Sequence, residues 1–311
     1  MKVLFTGLGS IGTRHLKNLR AAAGAMGLPL KVWALRSSGR PLPAQTAALL
    51  DGQFRALPDG EVWDAAFITN PTSLHFETLC ALRGRVGALF IEKPLFEHTV
   101  YALADCLAPG QKAYVAAPMR WCGTMLALKQ HLGRDGLRPY CARVICSSYL
   151  PEWRPGVDYR TVYSAHRDMG GGVTIDLIHE WDYLVELFGA PAQICNFKGT
   201  YSDLELDSDD LSVYIARWPR MLGEVHLDYF GRTYRRTIEL FCADGTLTAD
   251  FGAGILTLPD GTQEHYEEPV NRRYEREMDY FLHYALDDAA AESLNPPEQA
   301  LTVLKLTLGE M

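Results

Sequence analysis

From its first residues to about position 120, the chain alternates short apolar runs with longer stretches whose apolar residues recur three or four places apart. The runs over residues 2–6, 31–35, 65–69, 88–91 and 113–117 are rich in Val, Leu, Ile, Phe and Ala and are bounded by turn formers or charges, which predicts buried strands. The stretches between them predict helices. Alternation of this kind is the pattern of a parallel, doubly wound sheet.

Beyond residue 121 the pattern changes. One helical stretch (125–132) precedes strand-like runs over 140–149, 193–201, 211–218, 223–230, 237–242, 245–250 and 255–258. Ala243-Asp244-Gly245 and Pro259-Asp260-Gly261 are hairpin signals and predict a largely antiparallel sheet. A helix is predicted over 173–188, stopped by Gly189, and two more over 274–286 and 297–308. The predicted domains are residues 1–121, an α/β unit; 122–290, an α+β unit; and 291–311, a helix packing back on the first. No internal repeat or low-complexity segment interrupts them.

The first strand ends in Gly7-Leu8-Gly9-Ser10-Ile11-Gly12 and leads into a helical stretch. Gly7 permits a tight turn, Gly9 lets a pyrophosphate approach the backbone, and Gly12 lets the helix pack on the strand with its first amides facing phosphate. A glycine turn of some other α/β domain, such as a methyltransferase, has the same outline. Ala88-Leu-Phe-Ile-Glu-Lys-Pro94 sets Glu92 and Lys93 at the carboxyl end of another strand, where open α/β sheets bind ligands. Lys93 then either hydrogen-bonds a ribose or substrate hydroxyl and eases its deprotonation, or is a solvated strand-end lysine pinned by Pro94. Asn70-Pro71-Thr72 follows a third strand and either lines the nicotinamide side of a cleft or serves a helix capped by Thr72 or Ser73. His75, one turn on, reads as a structural hydrogen-bonder.

Composition narrows the function. The 311 residues are 48% hydrophobic and 22% charged, with a formal charge of −8 and no Lys/Arg-rich block, which argues against nucleic-acid or anionic-membrane partners. The sequence opens on a strand without a charged-then-apolar leader, and no apolar run approaches the roughly 20 residues that span a bilayer. A cytoplasmic location is expected. Seven scattered cysteines without a CxxC pair read as small hydrophobes and supply neither a metal site nor a disulfide frame.

The densest chemistry lies in Gly170-Gly-Gly-Val-Thr-Ile-Asp176-Leu-Ile-His179-Glu180-Trp-Asp-Tyr183. On one helix Asp176, His179, Glu180 and Tyr183 form a polar stripe, with Leu177, Trp181, Leu184 and Phe188 opposite. Such a stripe is either a solvated helix face or a reactive one. The three glycines favour the second, because they allow close backbone approach to a ligand at the helix N-terminus.

Taken together, GLGSIG, TNPTSLH, EKP and GGGVTIDLIHE, in this order and spacing, resemble the Gfo/Idh/MocA oxidoreductases, named for glucose-fructose oxidoreductase, inositol dehydrogenase and a rhizopine-catabolism protein. The resemblance covers essentially the whole chain. It implies an N-terminal Rossmann domain, a C-terminal α+β domain whose open sheet mediates homo-oligomer contacts, an NAD or NADP cofactor, and a sugar or polyol substrate bound between the domains. The family's EKP lysine contacts cofactor and substrate, and a helix His partnered by an Asp is its general base; these roles carry over to Lys93, His179 and Asp176. The dinucleotide set is then Gly7, Gly9, Ser10, Ile11, Gly12, Arg36, Ser37, Ser38, Asn70, Pro71, Glu92 and Lys93. The commoner family pattern places three residues between the Asp and the His, whereas here only Leu177 and Ile178 intervene, so either Asp176 or Glu180 orients His179. The DLIHE variant looks like members encoded with surface-polysaccharide and acidic-sugar genes.

Two further stretches bear on ligands. The second strand ends in Arg36-Ser37-Ser38, where an NAD enzyme usually presents an acid to the adenosine ribose, so the sequence leans toward NADP; an Arg36 that only stacks on adenine would accept either cofactor. The segment before the reactive helix carries Trp153, Arg154, Tyr159, Arg160, Tyr163 and Arg167, flat faces for a sugar ring and guanidinium forks for a carboxylate or phosphate. It is a substrate loop or an ordinary connection. Arg120, at the end of the last first-domain strand, is a further substrate candidate, as is His179 itself. The expected activity is hydride exchange with a ring hydroxyl or ketone of a sugar, possibly acidic or nucleotide-linked. A redox-assisted lyase or hydrolase, or a dinucleotide-binding regulator without turnover, fits the same motifs.

Overall fold

The computed structural model describes residues 1–134, 136–287 and 292–311. By internal contacts the chain divides into two compact units, Met1–Pro118 with Tyr274–Leu301, and Met119–Arg273 with Thr302–Met311.

The first unit begins β1 (Lys2–Phe5), α1 (Ser10–Ala25), β2 (Lys31–Leu35), α2 (Ala44–Ala47), β3 (Gly52–Phe54) and β4 (Trp63–Ile68). It continues with α3 (His75–Leu82), β5 (Val86–Ile91), α4 (Leu103–Cys106) and β6 (Lys112–Val115). The six strands form one sheet in the order β3-β2-β1-β4-β5-β6, and all neighbours are parallel. Central strands of such a sheet are covered on both faces and must be apolar throughout. Accordingly Val3, Leu4, Phe5, Ala65, Ala66, Phe67, Ile68, Phe90 and Ile91 are fully buried. Strand order reverses between β1 and β4, which makes their carboxyl ends the place where such sheets bind ligands.

The second unit contains α5 (Gly123–Arg134), β7 (Cys141–Tyr149), α6 (Val173–Asp176), α7 (His179–Phe188), β8 (Gln193–Gly199), β9 (Leu211–Arg217) and β10 (Leu222–Asp228). It adds β11 (Phe230–Cys242), β12 (Gly245–Asp250), β13 (Ile255–Thr257) and β14 (Gln263–His265). Eight strands form one sheet in the order β14-β13-β12-β11-β7-β10-β9-β8, antiparallel except for β7 beside β10. One face packs inward through Ala142, Val144, Tyr214, Ala216, Val225 and Leu240, with Trp181 of α7 edge-on to Tyr214 at 5.2 Å. The other face is open: Phe197 is 68% exposed and Ile215 44%.

Two helices close the chain, α8 (Asn271–Leu286) and α9 (Pro297–Leu308). The sequence reading grouped 274–290 with the second domain, but the contacts place Tyr274–Leu301 with the first. The cause is apolar: Met278, Phe281 and Leu282 belong to the core of β1, β4 and β5, and the Phe281 ring meets Phe67 and Phe90 edge-on at 5.2 Å each. Each such side chain contributes roughly 1.5–3 kcal/mol on burial. The expected boundary at residues 290 and 291 lies outside the described residues.

Three other expectations are corrected. β3 and β14, three residues each, are too short to show a period and were not anticipated. β11 begins at Phe230, seven residues before the expected start. The single helix over 173–188 is two, because Leu177, at φ −98° and ψ 29°, interrupts the helical path between α6 and α7.

Candidate active site

The first unit presents a cradle at the carboxyl ends of β1 and β4. Gly7 stands at φ +128°, and a Cβ there would meet Asn70 Cα and Thr69 O at 3.0 Å. Gly12 is equally constrained: its Cβ would come within 2.6 Å of Gly7 O and 2.9 Å of Thr69 Oγ1. The Thr69 hydroxyl donates to Gly7 O at 2.7 Å and fixes the turn from the neighbouring strand. Gly9 is different, since a Cβ there would meet nothing within 4 Å. Open space therefore lies over the N-terminus of α1, whose first turn, starting at Ser10 and Ile11, contains no acidic residue. An anionic pyrophosphate fits these free amides.

Arg36 follows β2 and donates to Gln53 Oε1 at 2.9 Å and Arg40 O at 2.7 Å. Both acceptors are neutral. Ser37 and Ser38 beside it are exposed. After β4, Asn70 accepts from the Thr6 hydroxyl at 3.2 Å and donates to Thr78 Oγ1 at 2.8 Å. Neither Thr72 nor Ser73 caps a helix: Pro71 and Leu74 occupy the cap positions, and no side-chain cap forms. His75 is buried with its ring nitrogens 3.0 Å from Leu95 O and 3.1 Å from Asn70 O, and burial lowers its pKa.

Glu92 does not face an open crevice. Its Oε1 lies 2.5 Å from Nε2 of the fully buried His15, and its Oε2 accepts from Lys93 N at 3.1 Å. Burial opposes the charge, but the His15 contact outweighs it and leaves the carboxyl below its ordinary value. Lys93, half-buried, precedes a cis peptide to Pro94.

The second unit contains a cavity of about 450 Å³ on the helix-covered side of its sheet, lined by residues of β7, α6, α7 and β11. His179 and Asp176 stand together in its wall, with Trp153 and Tyr149 supplying aromatic surface. Asp176 is buried and held from two sides: Tyr163 donates to Oδ1 and Tyr229 to Oδ2, each at 2.6 Å. Burial, and then the Asp176 charge, push both phenols up, so they remain protonated donors. Burial likewise pushes up the Cys146 thiol in the wall, which removes a thiolate nucleophile from consideration.

Glu180 is not the partner of His179 that its spacing suggested. It is fully buried, and Arg236 donates to it twice, Nε to Oε1 at 2.7 Å and Nη2 to Oε2 at 3.1 Å. Tyr183 is also buried, against Phe251 at 5.4 Å. The polar stripe is therefore neither solvated nor all in the cavity. The glycine run before it serves an internal anion. Val173 N donates to Asp209 O, and Thr174 N donates to Asp209 Oδ2, each at 2.9 Å, and a Cβ on Gly172 would strike that carboxylate at 2.3 Å.

The substrate candidates separate. Trp153 lines the cavity and donates to Ser148 Oγ at 3.1 Å, and Tyr163 reaches Asp176. Arg120 is buried in a different network, held by Asp182 at 2.9 and 2.8 Å and by Glu186 at 2.6 Å. Arg160 is exposed and paired with Asp158 and Glu205, and Tyr159 accepts from Glu205 N at 3.0 Å. Arg154 lies over the Tyr163 ring at 5.9 Å, and Arg167 is exposed beside Asp207. Among the lining residues that escaped the sequence reading are Arg232, Tyr234 and Arg236 of β11. Their alternate spacing, read as a strand, was the available signal.

No protein-family model and no curated protein sequence matches the chain. Among solved structures it is similar to the WlbA dehydrogenase from Bordetella pertussis in complex with NADH and UDP-GlcNAcA, at 17% identity over 99% of this chain and 94% of that one, with a TM-score of 0.76. An oxidoreductase from Agrobacterium radiobacter, in complex with NAD+, L-tartaric acid and magnesium, superimposes at 15% identity over 99% and 94%, TM-score 0.80. A myo-inositol dehydrogenase from Corynebacterium glutamicum does so at 18% identity over 100% and 95%, TM-score 0.74. At such identities the likeness establishes the fold alone: a parallel sheet followed by a larger, mostly antiparallel one, shared with these structures. No helix among the described residues is long and apolar enough to cross a membrane.

Proposed function

We propose that this chain is a pyridine-dinucleotide-dependent oxidoreductase of the Gfo/Idh/MocA type, exchanging a hydride with a ring hydroxyl or ketone of a sugar or sugar derivative. The observation that carries this reading is the cavity that gathers His179 and Asp176 beside flat aromatic walls. Such walls suit a sugar ring, and an imidazole beside a carboxylate suits proton transfer to its hydroxyls. The structural neighbours support it, since their names describe a dehydrogenase with NADH and a nucleotide-linked sugar acid, an oxidoreductase with NAD+ and a myo-inositol dehydrogenase.

The Gly9, Ser10 and Ile11 backbone of the glycine cradle would hold the pyrophosphate, and Asn70 and Pro71 would serve the nicotinamide end. When bound, the dinucleotide supplies the hydride acceptor or donor. His179 accepts the hydroxyl proton in oxidation and returns it in reduction. Asp176, fixed by two tyrosine hydroxyls, keeps the imidazole in its working orientation, and Lys93 stabilises the developing alkoxide. Arg36, whose guanidinium meets only neutral acceptors among the described residues, directs the preference toward NADP. The protein works in the cytoplasm, and copies associate through the open sheet face around Phe197 and Ile215.

The test is redox exchange. Protein loaded with NADP+ or NAD+ is offered neutral hexoses, polyols, uronic acids and nucleotide sugars while nicotinamide absorbance is followed. A reducing signal that depends on His179 supports the reading; silence toward every member in both directions removes it. Light scattering of wild type and Phe197→Glu tests the association.

A further inference from the structure

Two arginines face the cavity of the second unit, and they differ in what they are bound to. Arg236 is neutralised: Glu180 takes two of its donors. Arg232 lies over the Tyr149 ring, its guanidinium carbon 3.7 Å from the ring centroid. Among the described residues no carboxylate makes an ion pair with it. Stacking engages only the face of a guanidinium and leaves its in-plane N–H fork free to grip an anion in a bidentate way.

The backbone is arranged to project this residue. Pairing of β11 with β7 holds at Phe230 and resumes only at Arg235. Gly231 lies so close to β7 that a Cβ would meet Ser147 Oγ at 1.8 Å. A break of this kind re-aims the side chain that follows it. Among the described residues, neither carboxylate of the wall forms an ion pair with Arg232. Both Asp176 oxygens already accept tyrosine hydroxyls, and Glu152, also in the wall, is solvent-exposed. In a chain of net charge −8, an anionic ligand is repelled unless a local cation receives it.

We infer that Arg232 is the specificity-determining residue of this cavity and that it selects sugars bearing a carboxylate or a phosphate. The inference rests on the sugar oxidoreductase reading above for its ligand class, but it concerns binding, not turnover. It replaces Arg154, Arg160 and Arg167, which stand outside the cavity lining, as the group that receives the anion.

The experiment measures binding of hexoses, their uronates and their phosphates to dinucleotide-loaded protein through tryptophan fluorescence, since Trp153 stands in the wall. At least one uronate or phosphate is expected to bind roughly 10- to 100-fold more tightly than its neutral parent, the usual worth of a charge-assisted contact. Arg232→Met should abolish that ratio without weakening the parent sugar, and Arg154→Met should preserve it. Raised salt should shrink the ratio in wild type only. The inference is overturned if no anionic sugar outbinds its parent, or if Arg232→Met keeps the preference. Absorbance of the same samples separates the two claims: anion preference without hydride exchange sinks the oxidoreductase reading alone, and exchange with neutral sugars without preference sinks this inference alone.

Discussion

Nε2 of His15 lies 2.5 Å from Oε1 of Glu92 in the interior of the first unit. The contact joins α1, the helix behind the glycine turn, to the loop that carries Lys93. His15 is wholly buried and Glu92 is only 9% exposed. A sequence pair 77 positions apart thus sets the relation between the helix behind the glycine turn and the EKP lysine.

Removing the Glu92 charge should destabilise the protein in a pH-dependent way. The folded carboxyl titrates below its ordinary value of 4.5, so its contribution is fully present above that value and declines as pH falls through the lower folded one. Glu92→Gln should lose about 1–3 kcal/mol near neutral pH, the penalty for weakening a buried charged hydrogen bond. Urea unfolding from neutral to acidic pH should show the gap between wild type and variant closing on the acid side; a gap that widens there contradicts the assignment.

The Arg236–Glu180 pair permits a sharper stability test. Arg236→Met strands a fully buried carboxylate, and such half-broken pairs lose about 3–5 kcal/mol. Replacing both residues with Met should recover much of that loss, because the desolvation of both ions disappears together. Thermal melts of the two single variants and the double variant decide it: additive losses would mean that the pair is not coupled.

These relationships mark where the sequence stops being informative. Gly7 and Gly12 were legible because a steric demand, a positive φ or a contact under 3 Å, admits only glycine. The alternation of β1, β4 and β5 with helices was legible because both strand faces are apolar. The break at Leu177 was not, since apolar spacing continues across it and sees no dihedral. Arg232 and Arg236 were passed over for the opposite reason: the strand there lines a cavity instead of a core, so its inward positions are polar and their alternation is easily read as loop. Arg120 resembled a ligand contact because its partners Asp182 and Glu186 stand 62 and 66 residues away.

Cofactor preference should follow Arg36. Its guanidinium meets a glutamine oxygen and a carbonyl and, among the described residues, no carboxylate, so its charge is left for a 2′-phosphate to complete. We expect NADPH to bind more tightly than NADH and Arg36→Asp to reverse the order, because the variant places like charge against the phosphate. Fluorescence titration of both nucleotides against both proteins measures this, and equal wild-type affinities would remove the argument.

Turnover should depend on His179 far more than dinucleotide binding does. His179 begins α7 in the cavity wall, whereas the cradle for the dinucleotide is built from the first unit's own backbone. His179→Ala should lower turnover by at least ~100-fold, the usual worth of a positioned general base, and leave nucleotide affinity nearly unchanged. Tyr229→Phe is the companion variant. It strips one of the two hydroxyls from Asp176 but touches neither the imidazole nor the cradle, so it should slow turnover less than His179→Ala does. Loss of activity by Tyr229→Phe alone, with His179→Ala fully active, would move the proton-transfer role from the imidazole to the tyrosine–aspartate network.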